Sequence, residues 1–109
     1  MQHFSLSSTL AQMTAEQRAY LEFLRVPAMS MGVYRLGPGE VDRQQPHTED
    51  EAYFVIAGRA KFVCAGEVRD VAAGDVLFVE RDVEHRFLDI AEELTLLVFF
   101  APAEYSLRK

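Results

Sequence analysis

The chain contains a single cysteine, Cys64, so no internal disulfide can form and stability must come from core burial or a bound metal. Residues that interrupt regular structure are also few. Six glycines and four prolines in 109 residues, with 50% apolar and 26% charged residues, exclude a disordered or collagen-like chain. Basic residues are scarce beside acidic ones, 11 against 17 for a net charge of -6. Binding to a phosphate backbone depends on clustered cations, so a nucleic-acid partner is not expected. Long apolar runs are missing as well: the longest, Leu96 to Ala101, is far too short to span a bilayer. Met1 to Ser8 lack the Lys or Arg followed by an apolar run that marks a secretory signal. These absences predict one soluble, cytoplasmic domain over residues 1–109, with no membrane partner.

The composition changes character once, near residue 26, dividing an N-terminal extension (1–26) from a strand-rich body over about 28–101. Thr14 followed three residues later by Gln17 has the form of a capping box. Ala19, Tyr20, Phe23 and Leu24 then recur at helical spacing, which predicts a helix over about 15–25 that ends before Pro27. Beyond Pro27 the chain alternates with a period near two. Strands are expected over 28–36, 44–48, 51–57, 60–64, 67–71, 75–79, 84–89 and 94–100. Turn signals fall between them, among them Gly37-Pro38-Gly39, Gly58-Arg59, Ala73-Gly74 and Glu92-Glu93. Many short strands without intervening helices predict an antiparallel sandwich or barrel.

The alternation sets polar residues on an apolar face. If Tyr53, Val55 and Ala57 point inward, the same phase carries Gln45, His47 and Glu51 inward. Buried polar groups without partners cost several kcal/mol, of order 2–7, so such a row needs a reason, and a metal ion supplies one. His85 shares a phase with Phe87 and Asp89. His47 and His85 with one carboxylate would form a two-His, one-carboxylate set suited to Fe(II), Mn, Ni or Zn, leaving positions open for water or substrate.

At these positions the chain resembles the cupin superfamily. The first cupin motif places Gly, His, His, Glu and Gly at spacings met here by Gly39, Gln45, His47, Glu51 and Gly58. The second places Gly, Pro, Gly, His and Asn at spacings met by Gly74, Glu80, Asp82, His85 and Asp89. Gln45 replaces the first motif histidine, and Glu80 and Asp82 replace the motif's Pro and Gly. The resemblance implies an all-β fold: a small double-stranded β-helix (jelly-roll) barrel preceded by one N-terminal α-helix. It implies metal ligation by Gln45, His47, Glu51 and His85, and pairing as a homodimer. A divalent ion held by one anionic and three neutral ligands keeps about one positive charge, which favours a small anionic ligand or substrate.

Each residue also has a plainer reading. His47 and His85 could be hydrogen-bonded core histidines, and Gln45 could hold a water or a substrate instead of a metal. Glu51 could orient a histidine or act as a catalytic acid or base. Glu49-Asp50-Glu51 could be a solvated charge patch, with Glu49 at the mouth. Tyr53, Phe62, Cys64, Phe78 and Phe87 are expected inside, some of them lining the pocket. For Cys64 the role of a small buried hydrophobe outweighs that of a nucleophile. Two functions follow from different classes: a metal-dependent dioxygenase, isomerase or cyclase, or a non-catalytic small-molecule-binding or sensing module.

Overall fold

The structure, a computed structural model, describes residues 1–108. Its one helix, α1 (Leu6–Glu16), opens at Ser5, whose Oγ accepts the N–H of Ser8 at 3.3 Å. Leu10 and Met13 turn its apolar face onto Leu21, Val33 and Leu97. The helix closes at Gln17, whose φ of 56° lets its N–H and that of Arg18 reach back to carbonyls of the last turn.

The helix expected over 15–25 is therefore displaced: Thr14 and Gln17 end a helix instead of starting one. Residues Tyr20–Val26 form β1, paired antiparallel with β2 (Met29–Leu36). The misleading spacing has a physical cause. Glu22 pairs with Gly32 and Leu24 with Met31, so Phe23 is the extra residue of a β-bulge that shifts the strand's phase and mimics helical periodicity.

The remaining strands are β3 (Asp50–Cys64), β4 (Glu67–Ala72), β5 (Val76–Val79) and β6 (His85–Ala101). All pairs are antiparallel, in the order β1-β2-β6-β3-β4, with β5 also on β3. The strands expected over 51–57 and 60–64 are one continuous strand, as are those over 84–89 and 94–100. Gly58-Arg59 and Glu92-Glu93 are not turns. They face each other where the β3–β6 ladder loses its regular register, between Val55 and Lys61.

That irregularity folds the ladder over itself. Glu51 pairs with Phe100 at one end and Cys64 with His85 at the other. Thirteen residue steps of extended chain, at ~3.3 Å each, would separate the two ends by roughly 43 Å. The molecule's longest extent is 36 Å, so the ladder has to bend. Gly58, at φ 97°, forms the corner, its Cα packed against the Glu92 and Glu93 carbonyls where no Cβ fits. Between the two arms lies the main core, which includes Tyr53, Val55, Phe62, Phe87, Leu96 and Phe100.

Residues 37–49 are loop, so the strand expected over 44–48 is absent. The buried Asp42 carboxylate organises this loop by accepting from Tyr34 Oη (2.8 Å), Gln44 Nε2 (2.8 Å) and the Phe87 N–H (2.9 Å). Tying the loop to β6 in this way satisfies backbone without a ladder. No helix among the described residues is long and apolar enough to cross a membrane.

Candidate metal centre

Folding the β3–β6 ladder brings its ends together at His47, Glu51 and His85. All three are buried, and one ligand atom from each lies within 4.8 Å of the others. Glu51 Oε1 stands 2.8 Å from His85 Nε2 and 3.5 Å from His47 Nδ1. His85 Nδ1 lies 2.9 Å from the Val83 carbonyl, which can only accept, so Nδ1 carries the proton and Nε2 faces the site. Tyr53 Oη, which donates to Gln44 Oε1 at 2.9 Å, lies 3.1 Å from that Nε2. Burial draws the His85 imidazole down, but the Glu51 carboxylate and Val83 carbonyl outweigh it and hold its pKa above the ordinary value. Burial, reinforced by the Glu51 charge, keeps the Tyr53 phenol protonated.

Several atoms here lack partners. His47 Nδ1 and both Glu51 carboxylate oxygens are buried without a hydrogen bond; the close approach of His85 Nε2 to Glu51 is an ion-pair contact only. A buried carboxylate compensated only by one ion-pair contact is costly, and a divalent cation would satisfy it together with two imidazole nitrogens. The residues present therefore fit a metal ion.

A cavity of about 450 Å³ opens on His47 and Glu51, with Leu36, Val98 and Phe100 among its apolar lining. Residues 102–108 supply part of its wall. Glu49, only 1% exposed, accepts the backbone N–H groups of Tyr105 (2.5 Å) and Leu107 (3.0 Å), so it lies buried under this segment instead of solvated at the mouth. Tyr105 stacks on the His47 ring at 5.3 Å, and Glu104 Oε2 lies 3.0 Å from His47 Nε2. Tyr20 also lines the cavity, and its hydroxyl is buried without a partner.

Of the four expected ligands, His47, Glu51 and His85 converge. Gln45 borders the cavity but is exposed, and it is the neighbouring Gln44 that reaches Tyr53. The expected pocket-lining residues fall elsewhere. Tyr53, Phe62 and Phe87 are packed in the core, with half-buried Cys64 against them. Burial raises the Cys64 pKa, as suits a packing residue better than a nucleophile. Phe78 is 63% exposed on the outer face, because it pairs with Ala52 and shares the phase opposite Tyr53. Glu104 and Asp42 carry no signal in the sequence, and Tyr20 reads there only as an apolar position of the expected helix. None lies at a spacing that distinguishes it from an ordinary surface or core residue.

Residues 32–100 match the Cupin domain family, and the chain belongs to that family. It is 44% identical over 104 residues to an uncharacterized protein of Streptomyces coelicolor, a match covering 95% of this chain and 99% of that protein. Among solved structures, TT1209 from Thermus thermophilus superposes with a TM-score of 0.75 at 23% identity, covering 94% of this chain and 99% of that one. The DMSP lyase DddQ from Ruegeria pomeroyi superposes with a TM-score of 0.67 at 22% identity, over 77% of this chain and 42% of that one. These likenesses establish the shared barrel fold.

Proposed function

We propose that the protein is a metal-dependent enzyme of dioxygenase, isomerase or cyclase type. In this reading His47, Glu51 and His85 hold a divalent transition ion (Fe, Mn, Ni or Zn), and a small organic anion binds in the adjoining cavity. The observation that carries it is the buried, convergent trio in which His47 Nδ1 and both Glu51 oxygens are left without a hydrogen bond. A divalent ion bound there would supply Lewis acidity to polarise a substrate carbonyl or enolate. Two neutral imidazoles and one carboxylate would leave it about one positive charge, matched to a monoanion. The apolar wall of Leu36, Val98 and Phe100 would shield the rest of the ligand from water. With Cys64 free, a reducing, cytoplasmic setting suits the chain.

Elemental analysis of the purified protein tests this reading. About one metal per chain is expected, lost in His47→Ala and in His85→Ala while strand content is retained. No metal after reconstitution with Mn, Fe, Ni and Zn would overturn it. The exposure of Gln45 would then favour the alternative, a non-catalytic binding or sensing module whose inward polar groups meet the ligand directly.

A homodimer is part of the same proposal. On the outer face Val76 (71% exposed) pairs with Phe54, beside Phe78 opposite Ala52, forming a contiguous apolar patch suited to a second copy. Sedimentation equilibrium should give twice the chain mass, and Phe78→Glu should give a folded monomer. A monomeric native protein contradicts the pairing.

A further inference from the structure

We propose that Glu104 is a positioning residue that selects the tautomer of His47. Its carboxylate accepts the Nε2–H, so that the Nδ1 lone pair is what the imidazole presents to Glu51 and His85. The inference deepens the metal reading by naming the donor atom of His47, and it rests on that reading for its consequence though not for its geometry.

Three sets of contacts support it. First, the His47 ring is buried and packs against Phe100 (4.7 Å) and Tyr105 (5.3 Å), which leaves it a half-turn flip as its main alternative orientation. In the orientation observed, Nε2 is 3.0 Å from Glu104 Oε2, while Nδ1 is 3.5 Å from Glu51 Oε1 and lacks a hydrogen bond. A flip would turn carbon atoms toward both carboxylates and lose both contacts. Second, the neutral imidazole has one proton to place, and the Glu104 carboxylate, closer to Nε2 (3.0 Å) than Glu51 is to Nδ1 (3.5 Å), favours it on Nε2. His85 follows the same logic with the nitrogens exchanged: the Val83 carbonyl holds Nδ1–H, so Nε2 faces the trio. Each histidine thus turns one nitrogen to the same place, and each is oriented through its other nitrogen. Partners of this kind set both the tautomer and the basicity of metal-binding imidazoles.

Third, Glu104 is held in place by its backbone. Its N–H donates to Ser30 Oγ at 2.9 Å, and its carbonyl accepts from Arg25 Nη2 at 2.7 Å. The next residue is tied down by the Glu49 carboxylate. Strands β1 and β2 and the loop before β3 therefore converge to place one carboxylate over His47.

Long-range proton–nitrogen spectra of the metal-free protein, recorded well above the ordinary imidazole pKa, read the tautomer directly. In the native protein His47 should carry its proton on Nε2. Glu104→Ala should lose this single-tautomer pattern and bind Zn²⁺ about 10–100-fold more weakly in competition with a chelator. Glu104→Gln, whose amide oxygen still accepts an N–H, should keep the tautomer and recover most of the affinity. Protonation on Nδ1 in the native protein would overturn the proposal, as would a Glu104→Ala variant with native tautomer and affinity, or one that loses affinity without a change of tautomer. If the native protein takes up no Zn²⁺ and yet the tautomer responds to Glu104→Ala, the positioning role stands and the metal reading fails.

Discussion

Glu51→Gln should lose metal binding and yet leave the metal-free protein at least as stable as the native chain. The carboxylate is 2% exposed, and neither oxygen has a hydrogen bond. Without an ion it is an anion kept from water with only His85, at 2.8 Å, for partial compensation. The amide removes that charge at nearly constant volume, and His85 can discharge to neutral imidazole while keeping Val83 and Tyr53 as neighbours. Removing a poorly satisfied buried anion is worth about 1–2 kcal/mol. That corresponds to a rise of roughly 4–8 °C in the metal-free melting temperature. Metal affinity should fall by more than about 100-fold, since an anionic ligand is lost and not merely a partner of one. Calorimetric melts of both proteins, with and without metal, check both halves. A Glu51→Gln variant that melts well below the native protein without metal, or keeps full metal content, contradicts this account.

Gly58→Ala should be the most damaging single-methyl change in the chain. Its φ of 97° lies where side chains are strained, at about 1–3 kcal/mol. In addition, a Cβ would overlap the Glu93 backbone carbonyl and lie 2.9 Å from the Glu92 carbonyl oxygen. Both neighbours belong to the opposing strand, so relief requires opening the corner itself. A total of roughly 3–5 kcal/mol is a large share of a small domain's stability. Gly74→Ala is the control, because Gly74 has φ 95° but nothing within 4 Å of an added Cβ. It should cost only the backbone strain, and the difference between the two melting midpoints isolates the close approach. Equal losses would mean that the corner has room to give. The corner also holds Glu51 and His85 together, so Gly58→Ala should release metal at temperatures where Gly74→Ala retains it.

The residues of the candidate site are legible in the sequence because their spacing is constrained. His47, Glu51 and His85 sit at fixed distances from Gly39, Gly58 and Gly74, each with positive φ, so a linear pattern captures how the chain enters and leaves the site. What escaped was decided by tertiary contacts. The bulge at Phe23 gave a strand the apolar spacing of a helix. Gly58 and Glu92-Glu93 have turn composition yet form the inside of a bend within two unbroken strands, which becomes visible only when they are seen to face each other. Gln45 shares the phase of His47 on paper, but Asp42 draws residues 37–49 out of strand geometry, and the phase no longer governs direction. Glu104 could not be found from its surroundings in sequence, since its role comes from Glu49, Ser30 and Arg25.

The segment 102–108 contributes no strand to the barrel, yet it forms part of the cavity wall and reaches both His47 and the cavity mouth through Glu104 and Tyr105. The cavity wall is thereby shared between barrel strands, through Leu36, Val98 and Phe100, and a stretch of chain outside them. Substitutions at Glu104 and Tyr105 change the cavity wall while leaving the core of Tyr53, Phe62 and Phe87 untouched. A barrel divided in this way can diverge in chemistry faster than in shape, which is how one fold comes to host many reactions.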